Sequence, residues 1–186
     1  MNGIFVAVVG PSGVGKDSLI GFARDRLAAG GDVVFVRRVV TRQAEVTSED
    51  HDSMDPKAFA EAEARGEFAL SWSAHGLRYG LPIGLETDLA AGRVVVANLS
   101  RGAIPELVRR YPEAIVVSVT AEREVITKRL AQRGRESAEA IQQRLDRATV
   151  GDRLPASTLR IDNSGALAVA GEQFVALLQD ALGVRA

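Results

Sequence analysis

Cysteine is missing from this chain of 186 residues. That absence excludes disulfides, thiolate nucleophiles and zinc-thiolate centres together. Lysine is nearly missing: Lys16, Lys57 and Lys128 stand alone, and arginine supplies the remainder of the 23 basic residues. An excess of charge of either sign is missing too, because the formal net charge is −1, which argues against a nucleic-acid binder driven by bulk electrostatics. No apolar stretch nears the ~20 residues that a membrane span requires. The apolar run Ile4 to Val9 ends at once in glycine, without the pattern of a secretory leader. The expectation is a cytoplasmic protein of one domain, residues 1–186, long enough for a full core. It should have no nucleic-acid partner and no membrane partner.

What is present is concentrated near the amino end. Gly10, Pro11, Ser12, Gly13, Val14, Gly15, Lys16, Asp17 and Ser18 follow that strand-like run and open a helix-like one, Asp17 to Leu27. Glycines at 10, 13 and 15 let the backbone curl with its N–H groups inward. The helix start adds the positive end of its dipole, and Lys16 reaches terminal phosphates as a cation. A plain glycine-rich turn is the alternative, but it leaves the strand before and the helix after without a reason. The ligands expected are a nucleoside triphosphate, ATP, and Mg²⁺. One departure is informative: Asp17 replaces the hydroxyl residue that usually follows the lysine and ligates Mg²⁺, and Ser18 comes one place late. One helical step turns a side chain by about 100°, so Ser18 is no direct substitute. Either Asp17 approaches the metal, directly or through water, or the phosphates and solvent hold it. The strand-like run from Val94 likewise ends without the carboxylate that P-loop enzymes often keep there for metal positioning, and Asn98 and Arg101 occupy that end.

Further along, Val33 to Val40 reads as one strand, β-branched almost throughout except for Arg37-Arg38. Thr41 to Ser53 reads as a polar, acidic loop. Asp55-Pro56 starts a helix and Gly66 stops it. Phe68 to Ser73, a turn at His75-Gly76 and Leu77 to Tyr79 read as a β-hairpin. Helix Ile83 to Ala91, strand Arg93 to Asn98, helix Ile104 to Arg110, strand Ala114 to Thr120 and helix Glu122 to Gln132 follow. A basic break at Arg133 to Glu136, a helix from Ser137 to about Thr149, strand Leu159 to Ile161 and helix Ala166 to Leu182 complete the chain. Such alternation implies a parallel sheet flanked by helices, so the fold expected is an α/β P-loop kinase core with ligands at the carboxyl ends of its strands. A small inserted acceptor-binding lobe, about 41–82, and a lid, about 133–137, interrupt the rhythm. A lid suits phosphoryl transfer because it keeps water from the reacting phosphate.

GPSGVGKDSL at the start, VVTR at 39–42, GEF at 66–68, AHGLRYG at 74–80, and RLAQRG with IQQRL at 129–145 resemble the guanylate kinase superfamily over nearly the whole chain. Within it the chain is similar to the branch that uses ATP to convert a sugar phosphate, ribose 1,5-bisphosphate, to 5-phosphoribosyl 1-diphosphate. The GKDS cradle and Glu49-Asp50-His51 fit that branch. Guanylate kinases carry a glutamate shortly after the GEF-like element that accepts from the guanine edge, and Leu70 stands at about that place. They also place Thr-Ser after the Tyr-Gly of the hairpin, where this chain has Leu81-Pro82. Guanine N–H donors left without acceptors in a closed site cost about 1–3 kcal/mol each, so guanosine monophosphate is expected to be a poor acceptor. An acceptor phosphate oxygen is already ionised near neutrality and needs no general base, so arginines, one lysine and Mg²⁺ make a coherent site. Two alternatives remain: a nucleoside monophosphate kinase with rebuilt base recognition, and a non-catalytic guanylate kinase-like interaction module. The intact cradle lysine and glycines count against the module.

From the residues themselves, Lys16 is the catalytic cation of the cradle, Asp17 the candidate at the metal, and Asn98 and Arg101 candidates for sugar hydroxyls or phosphate. The resemblance implies the rest. Arg42 joins Lys16 and Arg133 as catalytic cations; Arg38, Arg42, Asp50, His51, Tyr79 and Arg144 face the acceptor. Arg129 and Arg133 meet the ATP phosphates with residues 10–18, and Asn163 lies near the adenine. Each has a structural alternative. Arg37-Arg38 could be one solvated edge position and one partner of a surface acid, Tyr79 a packing aromatic of the lobe, and Asn163 a turn residue in Asp-Asn-Ser-Gly. Helical arginines could pair with nearby acids, and His75 reads as structural, at the hairpin turn.

Overall fold

The computed structural model describes residues 3–41, 51–132 and 154–183. In chain order the elements are β1 (Ile4–Val9), α1 (Lys16–Leu27), β2 (Val33–Val36), β3 (Arg38–Val40), β4 (His51–Ser53), α2 (Pro56–Ala64), β5 (Phe68–Ala74) and β6 (Leu77–Pro82). They continue with α3 (Leu85–Ala90), β7 (Val94–Asn98), α4 (Ile104–Arg110), β8 (Ile115–Thr120), α5 (Arg123–Gln132), β9 (Leu159–Asp162) and α6 (Leu167–Gly183). Among the described residues no helix is long and apolar enough to cross a membrane.

Five strands form a parallel sheet in the order β2-β7-β1-β8-β9. Its central strand is apolar at every position because both faces are covered, the usual condition of parallel strands. Val6 and Val8 join Val14, Leu19, Phe174 and Leu178 on the face covered by α1 and α6. Phe5, Ala7 and Val9 join Leu85, Ile104 and Leu107 on the face covered by α3 and α4. A parallel sheet brings the carboxyl ends of its strands to one edge. Gly10, Asn98 and Asn163, which follow or end β1, β7 and β9, therefore share that edge.

A second, four-stranded sheet has the order β4-β3-β6-β5. It corrects the reading of Val33 to Val40 as one strand: the chain pairs with β7 through Val36, breaks at Arg37, and pairs with β6 from Val39 onward. The β-branched run is continuous, but the partner changes, and only the Arg37-Arg38 pair marks the break. A second correction concerns His51 to Ser53, read as loop and found as β4. This strand runs parallel to β3 with His51 opposite Arg38, and has no apolar alternation to reveal it. It exists by pairing, not by propensity. The expected helix after Asp55 is observed as α2, and Asp55 Oδ1 accepts from the backbone of Lys57 at 2.8 Å and Ala58 at 3.4 Å, a cap worth about 0.5–2 kcal/mol. The expected hairpin turn is observed too, with His75 at φ 53° and Gly76 at φ 76°.

Candidate active site

The cradle is a loop whose shape is fixed from outside. Gly10 has φ 148° and Gly15 φ 96°, both in the left-handed range that side chains resist. A Cβ on Gly10 would collide with the Val119 carbonyl, and one on Gly15 would lie 2.5 Å from Asn163 Nδ2. Asn163 comes this close because its amide donates to the Val14 carbonyl at 2.8 Å, joined there by Arg129 Nη1 at 3.3 Å. A planar trans peptide points its C=O and N–H in opposite directions. Drawing the Val14 carbonyl toward Asn163 and Arg129 therefore turns the Gly15 N–H away from them, to the other side of the loop. Lys16 Nζ reaches across the mouth and donates to the carbonyls of Gly10 at 2.9 Å and Pro11 at 3.0 Å.

Asp17, in the first turn of α1, accepts from Asn98 Nδ2 at 2.7 Å. Ser18 is exposed and Asp17 partly buried, as the turn of a helix requires of neighbours. Asn98 ends the buried β7 and is itself 6% exposed, yet among the described residues its Oδ1 has no hydrogen-bond partner. A carboxylate carried by the helix thus meets, where β7 ends beside the cradle, an amide carried by the strand, which faces it with its N–H. An aspartate at both places would set two like charges at hydrogen-bond distance, so one carboxylate with one amide is the arrangement the site tolerates. Among the described residues no group of three or more His, Cys, Asp or Glu could cage a metal. That donor set fits Mg²⁺, which keeps several waters and binds through one or two carboxylates and the substrate phosphates.

The second sheet supplies the opposite wall. Register places Arg38 opposite His51, and Tyr79 opposite both Val40 and Trp72. Strand side chains alternate, so Arg38, His51, Tyr79 and Trp72 share one face. Arg38 is 8% exposed and its guanidinium lies 5.6 Å from the centre of the Tyr79 ring. Arg37, one residue earlier, is exposed and pairs with Asp52 at 3.1 Å. The two arginines therefore divide into a surface partner and a buried one. Trp72 stacks on Tyr79 at 5.4 Å and 8° between planes, and its Nε1 donates to Ser100 Oγ at 2.9 Å. That bond ties the sheet face to the loop after β7, where Arg101 follows.

Behind the face, Arg78 packs over Phe59 and pairs with Glu63, which also accepts from Ser71 Oγ at 2.6 Å. The Ser71 and Arg78 bonds hold the Glu63 carboxyl below its ordinary value. Leu70 and Leu81, cross-strand partners, are 4% and 0% exposed and belong to the apolar core with Leu99.

The structure thus brings Lys16, Asp17 and Asn98 together at the strand ends, with Arg129 and Asn163 behind the cradle loop. It brings Arg38, His51 and Tyr79 together on the lobe. Arg42, Asp50, Arg133 and Arg144, with the lid expected at 133–137, lie outside the described residues. Sequence reasoning missed Trp72 and Ser100. The signal was available for Trp72, since a two-residue turn at 75–76 pairs 74 with 77 and so 72 with 79.

No protein-family model matches the chain. A ribose 1,5-bisphosphate phosphokinase PhnN of Chelativorans sp. is 48% identical over 181 residues, covering 97% of this chain and 87% of that one. The protein of that name from Brucella melitensis is 47% identical over 174 residues, 94% of this chain and 91% of the relative. Among solved structures, a guanylate kinase from Anaplasma phagocytophilum superposes with a TM-score of 0.67 at 16% identity, over 96% of this chain and 86% of that one. This last is a likeness of fold.

Proposed function

The chain belongs to the ribose 1,5-bisphosphate phosphokinase family, and from that premise we propose that it transfers the γ-phosphoryl group of ATP to the 1-phosphate of ribose 1,5-bisphosphate, giving 5-phosphoribosyl 1-diphosphate and ADP. An oxygen of the 1-phosphate forms the new P–O bond as the bond to the β-phosphate oxygen breaks. The attacking oxygen carries no proton to remove, so the site needs alignment and positive charge instead of a base. The observation that carries the choice of acceptor is the buried Leu70–Leu81 pair. A purine edge set against it would lose its hydrogen bonds to water and find no acceptor there, at about 1–3 kcal/mol per donor.

In this reading the cradle N–H groups and Lys16 hold the ATP phosphates and stabilise charge in the transition state. Arg129 and Asn163 keep the Val14 carbonyl turned away, which preorganises the loop. Arg38, His51 and Tyr79 bind the acceptor, with Asn98 and Arg101 at the opposing strand end. Arg42, Arg133, Asp50 and Arg144 complete the set. Asp17, oriented by Asn98, would hold Mg²⁺ through its carboxylate or a bound water. Mg²⁺ when bound neutralises phosphate oxygens and screens the approach of one anion to another. Purified protein with ATP, Mg²⁺ and either ribose 1,5-bisphosphate or guanosine monophosphate, followed by ADP release, tests the assignment. Turnover of the sugar bisphosphate is expected, and preferential turnover of the nucleotide would overturn it.

A further inference from the structure

The proposed function explains why a purine edge would find no hydrogen-bond partners, but not what fills the room a purine would need. Trp72 is the only tryptophan of the chain, and nothing in a nucleotide cradle requires it. Its indole lies nearly parallel to the Tyr79 ring, 5.4 Å away at 8°. The Arg38 guanidinium stands over the same ring at 5.6 Å. Strand β6 runs between β3 and β5, so Arg38 and Trp72 approach Tyr79 from opposite sides. A base stacking on either side of the ring would meet one of them. The indole nitrogen is in turn fixed by its bond to Ser100 Oγ at 2.9 Å, which closes the span between the lobe sheet and the loop after β7.

An indole is a fused six-five ring system, with the outline and thickness of a purine. We propose that Trp72 is a specificity-determining residue of the acceptor site: stacked on Tyr79 and anchored to Ser100, its ring takes the place of a nucleobase and leaves room for a sugar phosphate only. The inference rests on the acceptor reading above and adds to it the side chain responsible. Loss of the hydrogen-bond acceptors for guanine weakens the wrong ligand, whereas a filled space rejects it; specificity built on both is harder to breach. The same contacts give Trp72 a second consequence. Because it bridges the two walls, it ties the sheet that carries Tyr79 and Arg38 to the strand end that carries Asn98, beside the cradle.

The test compares wild type with Trp72→Phe, which keeps a stacking ring without the bond to Ser100, and Trp72→Ala, which opens the space. Thermal unfolding by circular dichroism checks that each variant folds. For Trp72→Ala a rise of tenfold or more in the KM for ribose 1,5-bisphosphate is expected, with the KM for ATP within about twofold. Guanosine monophosphate should compete with the sugar substrate in this variant and not in wild type. Trp72→Phe should show the KM rise in part and gain no nucleotide binding. An acceptor KM unchanged in both variants, or wild-type Trp72 emission that responds to guanosine monophosphate as to the sugar bisphosphate, would overturn the inference. Were Trp72→Ala to unfold, Trp72→Phe and the wild-type emission titration would still decide. Wild type that turns over no sugar bisphosphate would sink the function itself, an outcome read before any variant is made.

Discussion

The cradle and the acceptor face meet at one edge of the molecule but are built in opposite ways. The cradle is one unbroken stretch, Gly10 to Ser18, and its backbone is the binding surface. Apart from Lys16, the side chains it depends on are those that shape it, Asn163 and Arg129, which converge on a single carbonyl. The acceptor face is drawn from four strands, and each contributes a residue or two through register: Arg38 from β3, His51 from β4, Trp72 from β5 and Tyr79 from β6. Backbone recognition suits a ligand part common to many enzymes, the polyphosphate. Side-chain recognition on a second sheet lets the acceptor vary while the cradle stays the same.

If the two regions are separable, damage to the cradle should abolish turnover without moving acceptor affinity. Lys16→Ala should lower kcat by about 10²–10³-fold, the scale of removing one preorganised donor at a transition state, with the melting temperature within a few degrees of wild type. ADP release and thermal unfolding measure both; a variant with near-normal kcat breaks the comparison at its centre. Asp17→Ser should raise the Mg²⁺ concentration needed for half-maximal rate by about tenfold, since the carboxylate held by Asn98 is lost. An unchanged Mg²⁺ titration would mean that Asp17 serves only its bond to Asn98.

Gly15→Ala probes shape without charge. A Cβ at φ 96° and 2.5 Å from Asn163 Nδ2 strains the loop and pushes its buttress away, at about 1–3 kcal/mol of stability. ATP affinity, by calorimetry, should fall along with it. The smallest effect belongs to the back of the acceptor sheet. Bonds from Ser71 and Arg78 depress the Glu63 carboxyl below its ordinary 4.5. Its contribution is therefore present above that pH and lost as pH falls through the depressed folded value. Both Glu63 and Arg78 are about a third exposed, so screening leaves at most about 1 kcal/mol. Melting curves of wild type and Glu63→Gln should differ slightly at pH 6 and converge toward pH 3.

Legibility in the sequence follows the same division. The cradle was read directly because its chemistry is local: three glycines, a lysine and a helix start lie within one segment. The parallel core was read from β1, β7 and β8, whose burial on both faces writes runs that are apolar apart from Ser118 and the terminal Asn98 and Thr120. What could not be read is where partners change. In Val33 to Val40 only the Arg37-Arg38 pair hints that Val36 pairs with β7 and Val39 with β6, and His51 to Ser53 has no apolar residue to announce a strand. The bond between Asn98 and Asp17 spans 81 positions and the one between Trp72 and Ser100 spans 28. Both were beyond any local pattern, although the residues they join, except Trp72 and Ser100, had been singled out for their chemistry.

The bond that sets the cradle joins Val14 to a residue 149 places later. A ribosome adding ~5–20 residues per second delivers Asn163 about 7–30 s after the glycine loop has been made. Through that interval the nascent chain carries every glycine of the loop and its lysine, but not the amide that turns the Val14 carbonyl outward. Nucleotide grip therefore matures late in synthesis, when β9 arrives beside β8 and brings Asn163 with it.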